Sequence, residues 1–158
     1  MYARSVAVTA VSRCLGDLEL LVIGKAPPSQ HDWDVHCQRI QAAIAGNRLC
    51  SRVLVVSDGG GLGTGQRKQF FDILLQADIR PERIAVCSSS VLTRGIVSAY
   101  TWLGVNGLRT FPMDNMFAAW AWVRSELVTF AELEYTVQRA QRENGWQRQG
   151  TGSTSARA

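Results

Sequence analysis

A chain of 158 residues with 46% apolar and 19% charged side chains has the makeup of one globular domain, and intrinsic disorder of the whole chain is excluded. The net charge is +4, but three of those positive charges fall after residue 138, where Arg139, Arg142, Arg148 and Arg157 face only Glu143. The near-neutral body has no basic stripe for a nucleic-acid backbone, and no apolar run approaches the roughly 20 residues that span a bilayer.

Met1-Tyr2-Ala3-Arg4 leads straight into the β-branched and apolar run Ser5–Ser12, with no signal-peptide pattern. Leu18–Ile23 is a second apolar run, and Gly16-Asp17 supplies the turn of an antiparallel hairpin between them. Pro27-Pro28-Ser29 breaks the chain. Trp33, Cys37, Ile40 and Ile44 then mark one face of a helix, with Gly46 as its stop. Within Arg52–Ser57, Val53-Leu54-Val55-Val56 is the continuous apolar run of a strand covered on both faces.

After the loop Asp58–Gly65, Phe70, Phe71, Leu74 and Leu75 repeat at helical spacing until Pro81. Ile84–Cys87 reads as a short buried strand. Ser88-Ser89-Ser90 opens a helix reaching about Leu103, and Leu108–Phe111 is a last strand ended by Pro112. Asp114 or Asn115 caps a helix carrying Phe117, Trp120 and Val123. Thr129 and Glu132 have the capping-box spacing of a further helix, whose apolar face is Phe130, Leu133, Val137 and Ala140. Gln147–Ala158 lacks large apolar residues and reads as a disordered tail.

The order β-β-α-β-α-β-α-β-α plus a final helix implies an α/β fold, a mixed but mostly parallel sheet with helices on both faces. The expected division is a domain over 1–126, an accessory helix over 127–145 and a tail over 146–158. An extra amphipathic helix needs something to cover, so self-association through the C-terminal helices is one expectation. Trp120 and Trp122 lie two apart and cannot share one helix face.

Cys14, Cys37, Cys50 and Cys87 form no CxxC pair, and neither they nor His31 and His36 stand at zinc spacing. No metal site is expected. Dispersed cysteines in or beside apolar segments read as reduced, packed thiols, which favours a cytoplasmic location.

The chemistry concentrates where strand carboxyl ends meet their loops. Ser57-Asp58-Gly59-Gly60-Gly61-Leu62-Gly63-Thr64-Gly65 holds five glycines in nine residues. Such a loop either offers bare amides to an anion or partner at a helix start, or is simply a long flexible connection. Arg67 and Lys68 in the following first turn oppose the helix dipole unless an anion is near; otherwise Lys68 pairs with Asp72 and Arg67 reaches Asp58. The second loop, Ser88, Ser89, Ser90 and Arg94, is chiefly N-cap chemistry, with Arg94 in reach of an anion or a surface ion pair. Pro112–Asn115 is the third segment at this edge.

Known nucleotide motifs do not fit. GxxxxGK[ST] would align Gly60 with Gly65, but Gln66-Arg67 stands where the lysine and hydroxyl belong, and Gly61-x-Gly63-x-Gly65 misses the dinucleotide spacing. A GxSxG elbow is absent, and His31 and His36 are distant in sequence from the serine-bearing loops. No catalytic residues and no cofactor are expected.

The run Val55-Val56-Ser57-Asp58-Gly59 ahead of a helix, with Arg83-Ile84-Ala85-Val86, Arg94-Gly95-Ile96-Val97 and Leu108-Arg109-Thr110-Phe111, resembles the bacterial STAS or SpoIIAA-like domains of anti-sigma-factor antagonists over about residues 3–125. The resemblance implies a non-catalytic regulatory or scaffolding module that binds a partner protein through the Ser57–Gly65 loop and the next helix. In that family the loop carries an Asp-Ser pair with a phosphorylated serine at the helix start. Here Ser57 precedes Asp58, and Thr64 is the one hydroxyl left near the helix start, a candidate phosphosite close to Arg67. The alternative reading is a binder of a lipid or anionic metabolite, with Trp102, Phe117, Trp120 and Trp122 as candidate pocket walls.

Overall fold

The computed structural model describes residues 8–48, 51–102 and 107–145, and side chains throughout these except at 96 and 98–102. The chain forms β1 (Ala10–Leu15), β2 (Leu18–Ile23), α1 (Gln30–Ala45), β3 (Arg52–Ser57) and α2 (Thr64–Gln76). It continues through β4 (Arg83–Ser88), α3 (Val91–Trp102), β5 (Leu108–Pro112), a 3-10 turn (Met113–Asn115), α4 (Met116–Val123) and α5 (Phe130–Glu143). This is the α/β order read from the sequence.

Some boundaries differ. The first strand runs on through Leu15 rather than ending at Ser12, because the Gly16-Asp17 turn, with Gly16 at φ +51°, sets the register Leu15↔Leu18 through Ala10↔Ile23; residues 5–7 lie outside the described residues. The third helix starts at Val91, since Ser90 acts as its cap and accepts from Thr93 N–H at 3.1 Å. The expected tail, Cys50 and the Trp102 side chain lie outside the described residues.

The strands lie in the order β1-β2-β3-β4-β5, with β1 antiparallel to β2 and all later pairs parallel. Each parallel step goes to the next neighbour in sequence, so crossovers of one hand stack α1, α2 and α3 on the same face. The opposite face carries α4 and α5.

That opposite face is a closed core. Leu18, Leu20 and Val22 of β2 join Leu54 and Val56 of β3 beneath Ala119, Val123, Leu133, Val137 and Ala140. The α5 capping box forms as expected: Glu132 N–H donates to Thr129 Oγ1 at 3.2 Å, and Thr129 N–H to Glu132 Oε2 at 2.8 Å. What the extra amphipathic helix covers is the protein's own sheet. Asp17 in the hairpin turn ties it there, accepting from Ser125 Oγ at 2.5 Å and Glu126 N–H at 2.9 Å.

The tryptophans of α4 diverge as their spacing requires. Trp120 donates from Nε1 to Val128 O at 3.0 Å beside Phe117 and Phe130. Trp122 lies under the Arg83 guanidinium, 5.0 Å from its ring centroid. Among the described residues, no helix is long and apolar enough to cross a membrane.

Candidate functional site

The face under α1, α2 and α3 is packed differently. Register places Leu21, Val55 and Val86 side by side on it. Trp33 and Ile40 of α1, and Phe70 and Leu74 of α2, face them across a cavity of about 420 Å³. Leu92 and Val97 of α3 line its remaining side. A space of this size among apolar walls falls within the range of small-ligand pockets.

One end of the cavity is the glycine loop. Ser57, Gly59, Gly60, Gly61, Leu62 and Gly63 reach its wall, with Lys25 and Arg67 beside them. Two of the five glycines are required by geometry. Gly59 sits at φ +112°, a conformation that side chains disfavour. Gly60 passes so close to the Gly24–Ala26 segment that a Cβ would stand 2.2 Å from Ala26 O. A Cβ at Gly61 would meet only Thr93 at ordinary distance, and one at Gly65 would meet nothing.

Asp58, Gly59, Gly60 and Gly63 of the loop spend their amides on the chain itself. Asp58 N–H donates to Ile23 O and Gly60 N–H to Gly24 O, both at 3.0 Å. Gly59 N–H donates to Ser57 Oγ at 3.1 Å, and Gly63 N–H to Gln66 Oε1 at 3.0 Å. Ser57 Oγ in turn donates to Gly60 O, and Gln66 Nε2 donates to Pro28 O at 2.9 Å. The chain's own acceptors hold this turn. Gly60→Ala is therefore expected to cost about 2 kcal/mol of stability by forcing backbone apart, while Gly61→Ala stays within about 0.5 kcal/mol; urea unfolding of both variants checks this.

The other predicted residues gather at the same edge, joined by Thr93, which the sequence reading did not single out. Thr93 Oγ1 donates to Gly59 O at 3.1 Å, Ser89 Oγ lies 3.5 Å from Asp58 Oδ1, and Arg94 donates to Ser88 O at 2.6 Å. Ser88 is fully buried and accepts from Ser90 N–H at 3.2 Å. Thr64 is exposed in the first turn of α2, and Arg67 Nη2 donates to its hydroxyl at 3.2 Å. Arg67 also donates to Leu62 O at 2.7 Å, not to Asp58 as expected; the Lys68–Asp72 pair does form. Phe117, Trp120 and Trp122 lie on the other face of the sheet, away from the cavity, because α4 packs against the closed core.

Sequence reasoning missed the polar end of the cavity. Glu19, 4% exposed within an otherwise apolar strand, pairs with Arg39 of α1. Ser12 Oγ donates toward Glu19 Oε1 at 3.0 Å, accepts from Arg39, and lies 2.8 Å from His36 Nδ1. The signal was present: a carboxylate in a run as apolar as Leu18–Ile23 must find a buried partner.

Burial pushes the His36 imidazole down to about 4, so it is neutral at pH 7. A serine and an imidazole do meet here, but the acid contacts the serine rather than the imidazole. Glu19 therefore competes for the hydroxyl proton instead of orienting the base, the reverse of a nucleophile-base-acid relay. The buried thiols are equally quiet. Burial, with the nearby Asp34 charge second, pushes Cys37 up to about 11, and burial with Asp114 does the same for Cys87.

These features define an α/β domain with an apolar cavity roofed by three helices and closed at one end by a glycine turn. Its fold is SpoIIAA-like, as the sequence resemblance implied. The chain is similar to an uncharacterized protein of the DUF3478 family with a SpoIIAA-like fold from Shewanella loihica PV-4, with a TM-score of 0.52 and 15% sequence identity. The match covers 78% of this chain and 98% of that one. No family's sequence profile matches the chain, and no curated protein is similar to it in sequence.

Proposed function

We propose that this protein is a non-catalytic regulatory module whose input is a small apolar ligand held between the sheet and α1–α3. The observation that carries the reading is the 420 Å³ cavity itself, walled by Leu21, Val55, Phe70 and Leu74 on a face where a domain of this size would ordinarily pack solid. The Ser57–Gly65 loop forms one end of that cavity and is the surface offered to a partner protein. A ligand that presses on Gly60 and Leu62 from inside thereby alters what a partner meets outside. Thr64, exposed beside Arg67, is a phosphosite that would act on the same surface.

The test is calorimetric titration with butylbenzene. Wild type is expected to bind it, and Val55→Phe, which fills the cavity from the central strand, to weaken binding at least about tenfold while unfolding cooperatively. A wild type that takes up no butylbenzene, or a Val55→Phe variant that binds equally well, would sink the reading. Partner capture with and without the ligand then asks whether the loop responds.

A further inference from the structure

Among the described residues, three charged side chains line the cavity, and they divide between its ends. Glu19 lies toward the amino end of β2, where the Arg39 ion pair matches its charge. Lys25 and Arg67 both lie at the glycine-loop end. Asp58, the loop's one acid, is not part of that wall and lies 3.5 Å from Ser89 Oγ.

The fold sets both cations there. Lys25 follows β2 by two residues, between the Gly24 carbonyl that accepts from Gly60 N–H and the Ala26 carbonyl that Gly60 crowds. Its backbone is thereby pinned to the glycine turn. Its side chain is exposed and makes no ion pair or hydrogen bond among the described residues. The flexible stem of a lysine lets its ammonium follow a charge that arrives beside it. Arg67 is held to the same loop through Leu62 O and Thr64 Oγ1. It stands in the first turn of α2, which has no acid, so its charge adds to the positive end of the helix dipole. Gly61 and Leu62 also belong to this wall, and their N–H groups have no acceptor among the described residues.

An apolar space that is positive at one end and acidic at the other favours one orientation of an amphiphile. We propose that the cavity's occupant is a single-chain carboxylate, its head at the glycine turn with Lys25 and Arg67 and its tail among Leu21, Val55, Phe70 and Leu74. The reverse orientation would bring the head to Glu19. At about 420 Å³ the space suits one short chain, since a methylene-sized group takes roughly the 30 Å³ of a liquid water. The proposal rests on the apolar-ligand reading above and adds the head group and the direction in which the ligand lies.

The experiment compares octanoate with 1-octanol, which has the same chain and no charge, by calorimetric titration of wild type and Lys25→Met. Wild type is expected to bind octanoate at least about tenfold more tightly than 1-octanol. Lys25→Met, a change at an exposed position, should weaken octanoate about fivefold and leave 1-octanol within about twofold. Lys25→Arg, which keeps the charge, should bind octanoate as wild type does. If 1-octanol binds wild type as tightly as octanoate, or Lys25→Met weakens neither or both alike, the carboxylate assignment is overturned. Butylbenzene binding would then leave the apolar cavity standing. A wild type that takes up none of the three compounds removes the apolar-ligand reading as well.

Discussion

A chain ending at Ser125 is expected not to fold. It would lack α5, whose Leu133 and Val137 are 0% and 2% exposed against β1 and β2. Those two side chains represent about 3–6 kcal/mol of burial, and the bared Leu18, Leu20 and Val22 represent at least as much again. A domain's whole stability is about 5–15 kcal/mol, so the loss is comparable with the total. The turn would suffer too, since Ser125, which holds Asp17, would become the frayed last residue and the Glu126 amide would be gone. Circular dichroism and amide dispersion in an NMR spectrum would show it. A truncated chain that still melts cooperatively near the full-length temperature would demote α5 to an appendage. Leu133→Ala in the full chain is the graded version, with an expected cost of about 3 kcal/mol.

The second large effect is a loss of stability between pH 6.5 and pH 4. His36 folds with its pKa lowered by burial to about 4 from 6.5. A base with a lowered folded pKa binds fewer protons in the native state than in the unfolded chain across that window. Stability is therefore full above 6.5 and falls as pH drops toward 4, by about 3 kcal/mol in all. His36→Phe should flatten that slope.

The carboxylates act in a separate, lower window. Burial raises Asp17 and Asp32, but hydrogen bonds, from Ser125 and Glu126 to Asp17 and from Thr9 and Ser29 to Asp32, outweigh it and leave both below 3.8. Their contribution is full above 3.8 and is lost as pH falls through the lower folded values. Urea midpoints measured from pH 7 to pH 4 check the assignment; an unchanged slope in His36→Phe would remove it from His36.

The elements whose signals are local were legible in the sequence. Val53-Leu54-Val55-Val56 can only be a strand covered on both sides, and Thr129 with Glu132 caps α5 by chemistry that needs no tertiary contact. The glycine loop was legible as a place and not as a mechanism. Whether Gly60 meets a ligand or Ala26 O depends on how a segment thirty-odd residues earlier returns to it, which no local pattern encodes.

The cavity was illegible for a related reason. Trp33, Phe70 and Leu74 have the same apolar spacing whether they pack against a sheet or stand off from it. The aromatics expected to wall a pocket were those of α4, where tryptophans crowd together; their side of the sheet is filled by α5. Ser12, Glu19 and His36 converge from three elements, so spacing along the chain carried no trace of the cluster, although Glu19 alone announced a buried partner.

The reach of α5 back to the first two strands also sets a timetable for the nascent chain. From β2 onward each strand joins the one made just before it, so most of the sheet can assemble in order as it emerges. The closing contacts come last: Glu143 meets Arg13 at 2.5 Å, and Asn144 reaches Val22 O at 3.4 Å. At ribosomal rates, Leu18 and Leu20 wait uncovered for roughly 5–25 s before their lid exists. That interval makes the half-made protein a ready client for chaperones that capture exposed apolar strands.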